Sequence, residues 1–155
     1  MNKHPVQFYD SASPGNIPSG VNAAVCINGR FAWSEHDVRR MGSVFRYIAV
    51  GGEPQWAAHA RGVDIEPECV WPPEQAIPFL VARHLHFGDA TAYCDRSTLP
   101  QLRELVDRAG IRVLYWVATL DDTRQVEGAW AVQYADVRNL YDVSILHGVN
   151  NLHRP

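Results

Sequence analysis

Four carboxylates stand where short apolar segments begin or end, and their spacing is the first chemical signal in the sequence. Asp10 closes Phe8-Tyr9-Asp10-Ser11, Asp64 and Glu66 close Gly62-Val63-Asp64-Ile65-Glu66-Pro67, and Asp142 follows Tyr141 ahead of a final apolar run. Asp64 and Glu66 are two apart. On a strand, alternate residues share a face, so both carboxylates point one way and Val63 and Ile65 the other. Two neighbouring carboxylates resist ionising together. One then holds its proton near neutral pH while the other stays charged. That division of labour is what cleavage of a glycosidic bond requires. The competing assignment for each acid is structural: a helix cap, or a partner for an arginine such as Arg61.

Further groups gather near segment ends: Tyr9, Tyr93, Trp116, Gln133 and Tyr134. Aromatic faces stack on sugar rings and a glutamine bonds hydroxyls, so these five are candidate substrate-binding residues. Each aromatic could equally belong to the core.

Eight short segments must position these residues: Val6–Asp10, Ala23–Ile27, Phe45–Val50, Gly62–Ile65, Ala90–Cys94, Val113–Ala118, Ala129–Tyr134 and Val143–Leu146. Their length and their Gly, Pro, Asn and Asp boundaries predict strands. Helical patterns lie between some of them. Ser34–Met41 opens with Ser34 as N-cap and Asp37 three residues later. Pro73–His86 puts Ala76, Ile77, Leu80, Val81 and Leu85 on one face and stops at Gly88, with Pro78 expected to kink it or delay its start. Leu99–Ala109 has Ser97 or Thr98 as its cap and Gly110 beyond its end. Strand and helix alternation predicts an α/β fold. Eight strands in 155 residues, against about 250 for a typical eight-fold barrel, predict a small, helix-poor barrel of mostly parallel strands, as a single domain over residues 1–155. An open doubly wound sheet is the alternative. In a parallel barrel the carboxyl ends of the strands form the active face, which is where Asp10, Asp64 and Glu66 fall; Asp142 precedes its apolar run and fits less simply.

Composition narrows the functions. The net charge is −3, with no basic footprint for nucleic acid, no basic amphipathic stretch for a membrane surface and no apolar run of spanning length. The three cysteines, Cys26, Cys69 and Cys94, fit neither a disulfide framework nor a zinc spacing and read as small buried residues. The start, MNKHPVQFYD, has no signal-peptide core. Synthesis and residence in the cytoplasm is the expectation; export to the wall by a holin-type or tail-associated route would leave no mark in the sequence. The polar Asn150–Pro155 is expected to fray.

The order of these pieces resembles glycoside hydrolase family 25, the lysozymes that cleave peptidoglycan at N-acetylmuramic acid. It is closer still to the actinobacterial "glycoside hydrolase-like" domains. The resemblance runs through Tyr9-Asp10-Ser11, Val63-Asp64-Ile65-Glu66, Thr91-Ala92-Tyr93-Cys94, Tyr115-Trp116-Val117-Ala118, Gln133-Tyr134 and Tyr141-Asp142-Val143-Ser144. It implies that Glu66 is the catalytic acid, that Asp64 orients or stabilises beside it, that Asp10 and Asp142 flank the cluster, and that Tyr93 and Trp116 line the pocket. It also implies a carbohydrate partner, no metal and no organic cofactor. Two other readings compete. One is a non-catalytic glycan-binding or structural module of a phage or cell-wall assembly. The other is a metal-dependent phosphodiesterase using the same four acids, for which the lone Gly51-Gly52 pair offers a poor phosphate cradle.

Overall fold

A computed structural model describes residues 5–147; the expectation for Asn150–Pro155 lies outside them. Eight strands close into a barrel in chain order: β1 (Gln7–Asp10), β2 (Asn22–Cys26), β3 (Ser43–Ala49), β4 (Gly62–Ile65), β5 (Thr91–Asp95), β6 (Leu114–Ala118), β7 (Ala129–Val137) and β8 (Tyr141–Leu146). Three α-helices accompany them: α1 (Glu35–Arg40), α2 (Ile77–Phe87) and α3 (Leu99–Ala109). The fold is a helix-poor α/β barrel. Neighbours are parallel from β1 to β7, while β8 is antiparallel to both β7 and β1. No helix among the described residues is long and apolar enough to cross a membrane.

The reversal of β8 has a local cause. Val137 and Leu140 are joined by a backbone hydrogen bond of 2.9 Å across Arg138 and Asn139, whose φ angles are 55° and 56°. Two left-handed residues make the tight hairpin turn that suits strand twist. A parallel return would need a crossover of a dozen or more residues. The seventh strand therefore runs on past Tyr134 to Val137, and the eighth starts at Tyr141 rather than Val143.

Inside the barrel, Phe8, Ala24, Ile48, Tyr93, Trp116, Trp130 and Leu146 form a packed plug. Phe8 and Tyr93 meet the Trp116 ring edge-on at centroid distances of 5.0 and 4.6 Å. Outside it, Val63 and Ile65 of β4 join Phe79 and Leu80 of α2 and Leu102 and Val106 of α3 in a second core. This outer core sets the facing of β4. A one-residue slip would expose two fully buried aliphatic side chains, worth about 1.5–3 kcal/mol each, and would drive Asp64 into the apolar layer.

The helices differ from their expected bounds in instructive ways. A 3-10 turn occupies Pro73–Ala76 and the α-helix begins at Ile77, so Pro78 sits in its first turn, where a missing N–H costs nothing. Leu85 is 69% exposed, whereas Phe79 and Arg83 are buried. Arg83 donates to both the carboxylate and the carbonyl of Asp89 and to the carbonyl of Ala57, fastening α2 to the barrel. On α3 Thr98 holds the N-cap position, as expected, but its side chain makes no capping bond; Asp95 Oδ1 instead accepts from the Thr98 amide at 2.7 Å and the Ser97 hydroxyl at 2.8 Å. Ser34 caps α1 as expected, accepting from the Asp37 amide.

Candidate active site

At the carboxyl ends of the parallel strands a cavity of about 320 Å³ opens. Asp10, Asp64, Glu66, Glu68 and Asp142 line it, and no Lys, Arg or His does among the described residues. Glu68, at the rim, is paired with Arg30 at 2.8 Å. The other four are the acids singled out in the sequence, and the fold brings them into one pocket. Asp142 gets there because β8 is reversed. Its first residues lie at the barrel end where β1 and β4 finish, and Asp142 is the register partner of Asp10.

The acids are held in a web of neutral donors. Gln133 Nε2 donates to both carboxylate oxygens of Asp10, each at 3.0 Å. The amide is oriented by Tyr93, whose hydroxyl donates to Gln133 Oε1 at 2.8 Å. The Tyr93 hydroxyl also acts on Glu66, whose proton affinity it lowers. Trp116 closes the floor, its indole N–H donating to Ser144 Oγ at 2.9 Å. Tyr93 and Trp116 line the cavity but are both buried, which leaves little ring surface open to it.

Electrostatics follow from burial. The Asp10 carboxyl holds its proton well above the usual carboxylate range, first through burial and then through Asp142, against the opposing Gln133 hydrogen bond. Asp64, the deeper of the central pair, is pushed up to about 8 by burial and then by Glu66. Glu66 is also raised, by burial first and by Asp95 and Glu68, while the Tyr93 hydroxyl opposes the rise. Asp142 is pushed up to about 6 by burial, Asp136 and Glu66. The cluster thus carries protonated and ionised carboxyls side by side near neutral pH.

Two candidates from the sequence lie elsewhere. Tyr9 and Tyr134 sit on the outer face of the barrel, packed with Val143 and Tyr141. Tyr134 accepts a hydrogen bond from Gln7 Nε2 at 2.9 Å and lies under the Arg124 guanidinium. Strand alternation dictates this: with Asp10 and Gln133 turned inward, their immediate neighbours turn outward.

Other lining residues escaped the sequence reading. Phe31, Trp33 and Leu120 stand on the rim, and Cys26 and Cys69 face the cavity, so of the three cysteines only Cys94 is fully buried. Phe31 and Trp33 follow β2, and the loop is tied back by the Trp33 amide donating to the Cys26 carbonyl at 3.0 Å. Two aromatics just past the carboxyl end of a barrel strand were a usable signal.

The chain matches no protein-family model and no curated protein sequence. Among solved structures it is similar to a muramidase from Acremonium alcalophilum, with a TM-score of 0.52 and 14% identity, over 86% of this chain and 85% of that one. The chain therefore shares the barrel fold of that muramidase.

Proposed function

We propose that this protein is a muramidase-like glycoside hydrolase that cleaves peptidoglycan-type cell-wall glycan by carboxylate general acid catalysis. The observation that carries the reading is the convergence of Asp10, Asp64, Glu66 and Asp142 in one cavity at the strand ends, in a barrel that it shares with a muramidase.

Glu66 is the proposed proton donor. It is the shallower of the central pair, and burial raises its proton affinity, which favours its delivering a proton to the leaving glycosidic oxygen. Asp142, pushed up to about 6, is largely an anion at neutral pH. It stabilises positive charge developing at the anomeric carbon. Asp64 lies deeper and, lining the cavity, positions the substrate, for example through an acetamido group. Asp10 is held by Gln133 and completes the flank. Phe31 and Trp33 at the rim supply apolar surface for a sugar ring. The chemistry needs neither metal nor organic cofactor. In this reading the chain is made in the cytoplasm and meets its glycan after release.

The test is turbidity loss of purified peptidoglycan by the wild type and by Glu66→Gln. The wild type should clear the suspension, and the variant should fold and lose about 10²–10⁴-fold in rate. Normal turnover in the variant would remove Glu66 from the mechanism. Binding of the glycan without clearing by the wild type would favour the non-catalytic glycan-binding module.

A further inference from the structure

The turn that follows β4 brings a thiol back over the two central acids. The Cys69 amide donates to the Glu66 carbonyl at 2.9 Å and the Val70 amide to the Asp64 carbonyl at 3.2 Å. One ligand atom from each of Asp64, Glu66 and Cys69 then lies within 4.8 Å of the other two. The Cys69 thiol lies beside the Asp64 carboxyl. Asp64 Oδ1 is shut off from solvent and has no hydrogen-bond partner. A buried carboxylate oxygen without a donor costs about 1–3 kcal/mol or more, so something that satisfies it is favoured.

We propose that Asp64, Glu66 and Cys69 form a three-ligand site for a borderline divalent transition ion such as Zn²⁺ or Co²⁺. The donor set selects the ion. Mg²⁺ and Ca²⁺ take oxygen ligands and gain nothing from a thiolate, whereas Zn²⁺ binds thiolate and carboxylate together. Tetrahedral zinc, with bonds of about 2.0–2.3 Å, needs ligand atoms about 3.5 Å apart, a closure that side-chain rotation of order 1 Å provides. On binding, the Cys69 thiol and any protonated carboxyl release their protons to solvent, and the ion takes the sulfur and two oxygens. The fourth position faces the cavity. The motif Asp64-x-Glu66-x-x-Cys69 combines a strand pair with a turn residue, which is why no ordinary zinc spacing flags it.

This site goes beyond the glycosidase reading and does not depend on it. If both hold, the ion sequesters Glu66 and is an inhibitor of cleavage that a chelator reverses.

The test is titration of the metal-free protein with Co²⁺, followed by absorbance, and with Zn²⁺, followed by calorimetry. The wild type should take one equivalent of Co²⁺ with a thiolate-to-cobalt charge-transfer band. Cys69→Ser should lose the band and bind Zn²⁺ at least tenfold more weakly, and Cys26→Ser should keep both. Should Cys69→Ser fail to fold by circular dichroism, Glu66→Gln supplies the reading, with at least a tenfold loss of Zn²⁺ affinity. No stoichiometric binding by the wild type overturns the site. So does a band kept in folded Cys69→Ser, a band lost in Cys26→Ser, or full Zn²⁺ affinity in Glu66→Gln. Wall clearing is scored separately on metal-free protein, so failure of either idea leaves the other readable.

Discussion

Asp10 and Asp142 face each other as register partners across the antiparallel β1–β8 ladder, both turned into the cavity. Like charges placed opposite on paired strands repel, and Asp142 is the largest charge contribution to the raised proton affinity of Asp10. Replacing either with Asn removes the same repulsion. Asp10→Asn and Asp142→Asn should each stabilise the fold at pH 8, and the double variant should gain less than the sum, by roughly 0.5–1 kcal/mol. Chemical denaturation of the four proteins measures this. Strict additivity would mean that the pair does not interact.

Stability should fall as pH rises through the neutral range. Asp64 in the fold holds its proton up to about 8, while an unfolded aspartate releases it near 4. The unfolded state therefore binds fewer protons between those values, and the slope of stability with pH is negative there. The favourable contribution is complete below pH of about 4 and is lost progressively towards pH 8. The raised Asp142 adds to the same trend up to about 6. Thermal melts should show a higher Tm at pH 5 than at pH 8. Asp64→Asn should flatten the profile and stabilise the protein at pH 8 by on the order of 1–3 kcal/mol. A Tm that climbs from pH 5 to 8 would contradict the burial of these acids.

Tyr93→Phe removes one hydroxyl that serves two partners. Gln133 Oε1 loses its donor inside the barrel, at a cost of about 1–3 kcal/mol. Glu66 loses the hydroxyl that holds its proton affinity down. If Glu66 is the proton donor, the alkaline limb of kcat/KM should move to higher pH, because the acid stays protonated longer. A pH–rate profile decides it; a limb that stays put or moves down would separate Tyr93 from Glu66.

Gly62 opens β4 on the same face as Asp64, one pleat below it. A Cβ there would stand 2.6 Å from Ile48 Cδ1 and 3.1 Å from Thr91 Cβ. Gly62→Ala should destabilise by about 1–3 kcal/mol through overpacking of the barrel interior. Pairing it with Ile48→Val, which withdraws that Cδ1, should recover part of the loss. Equilibrium unfolding of the single and double variants is the measurement, and no recovery would locate the strain elsewhere.

Much of the frame was legible in the residues. The eight strands followed from short apolar runs with Gly, Pro and Asn boundaries, and α3 from its spacing and Gly110, because these signals act over a few residues. The shared facing of Asp64 and Glu66 also followed, since it needs only the two-residue period of a strand and the apolar Val63 and Ile65 between them. The same period would have turned Tyr9 and Tyr134 outward once Asp10 and Gln133 were turned in; weighing nearness to strand ends alone obscured it. Tertiary structure decided the rest. The direction of β8, and with it the delivery of Asp142 to Asp10, depends on a two-residue turn at Arg138 and Asn139 and on closure of the sheet between the last strand and the first. The return of Cys69 over Asp64 depends on how the chain folds back after β4. The proton affinities of the acids depend on how much water the closed barrel excludes. Strand pattern is local and written in neighbours, whereas burial and charge coupling arise only when distant segments share a volume.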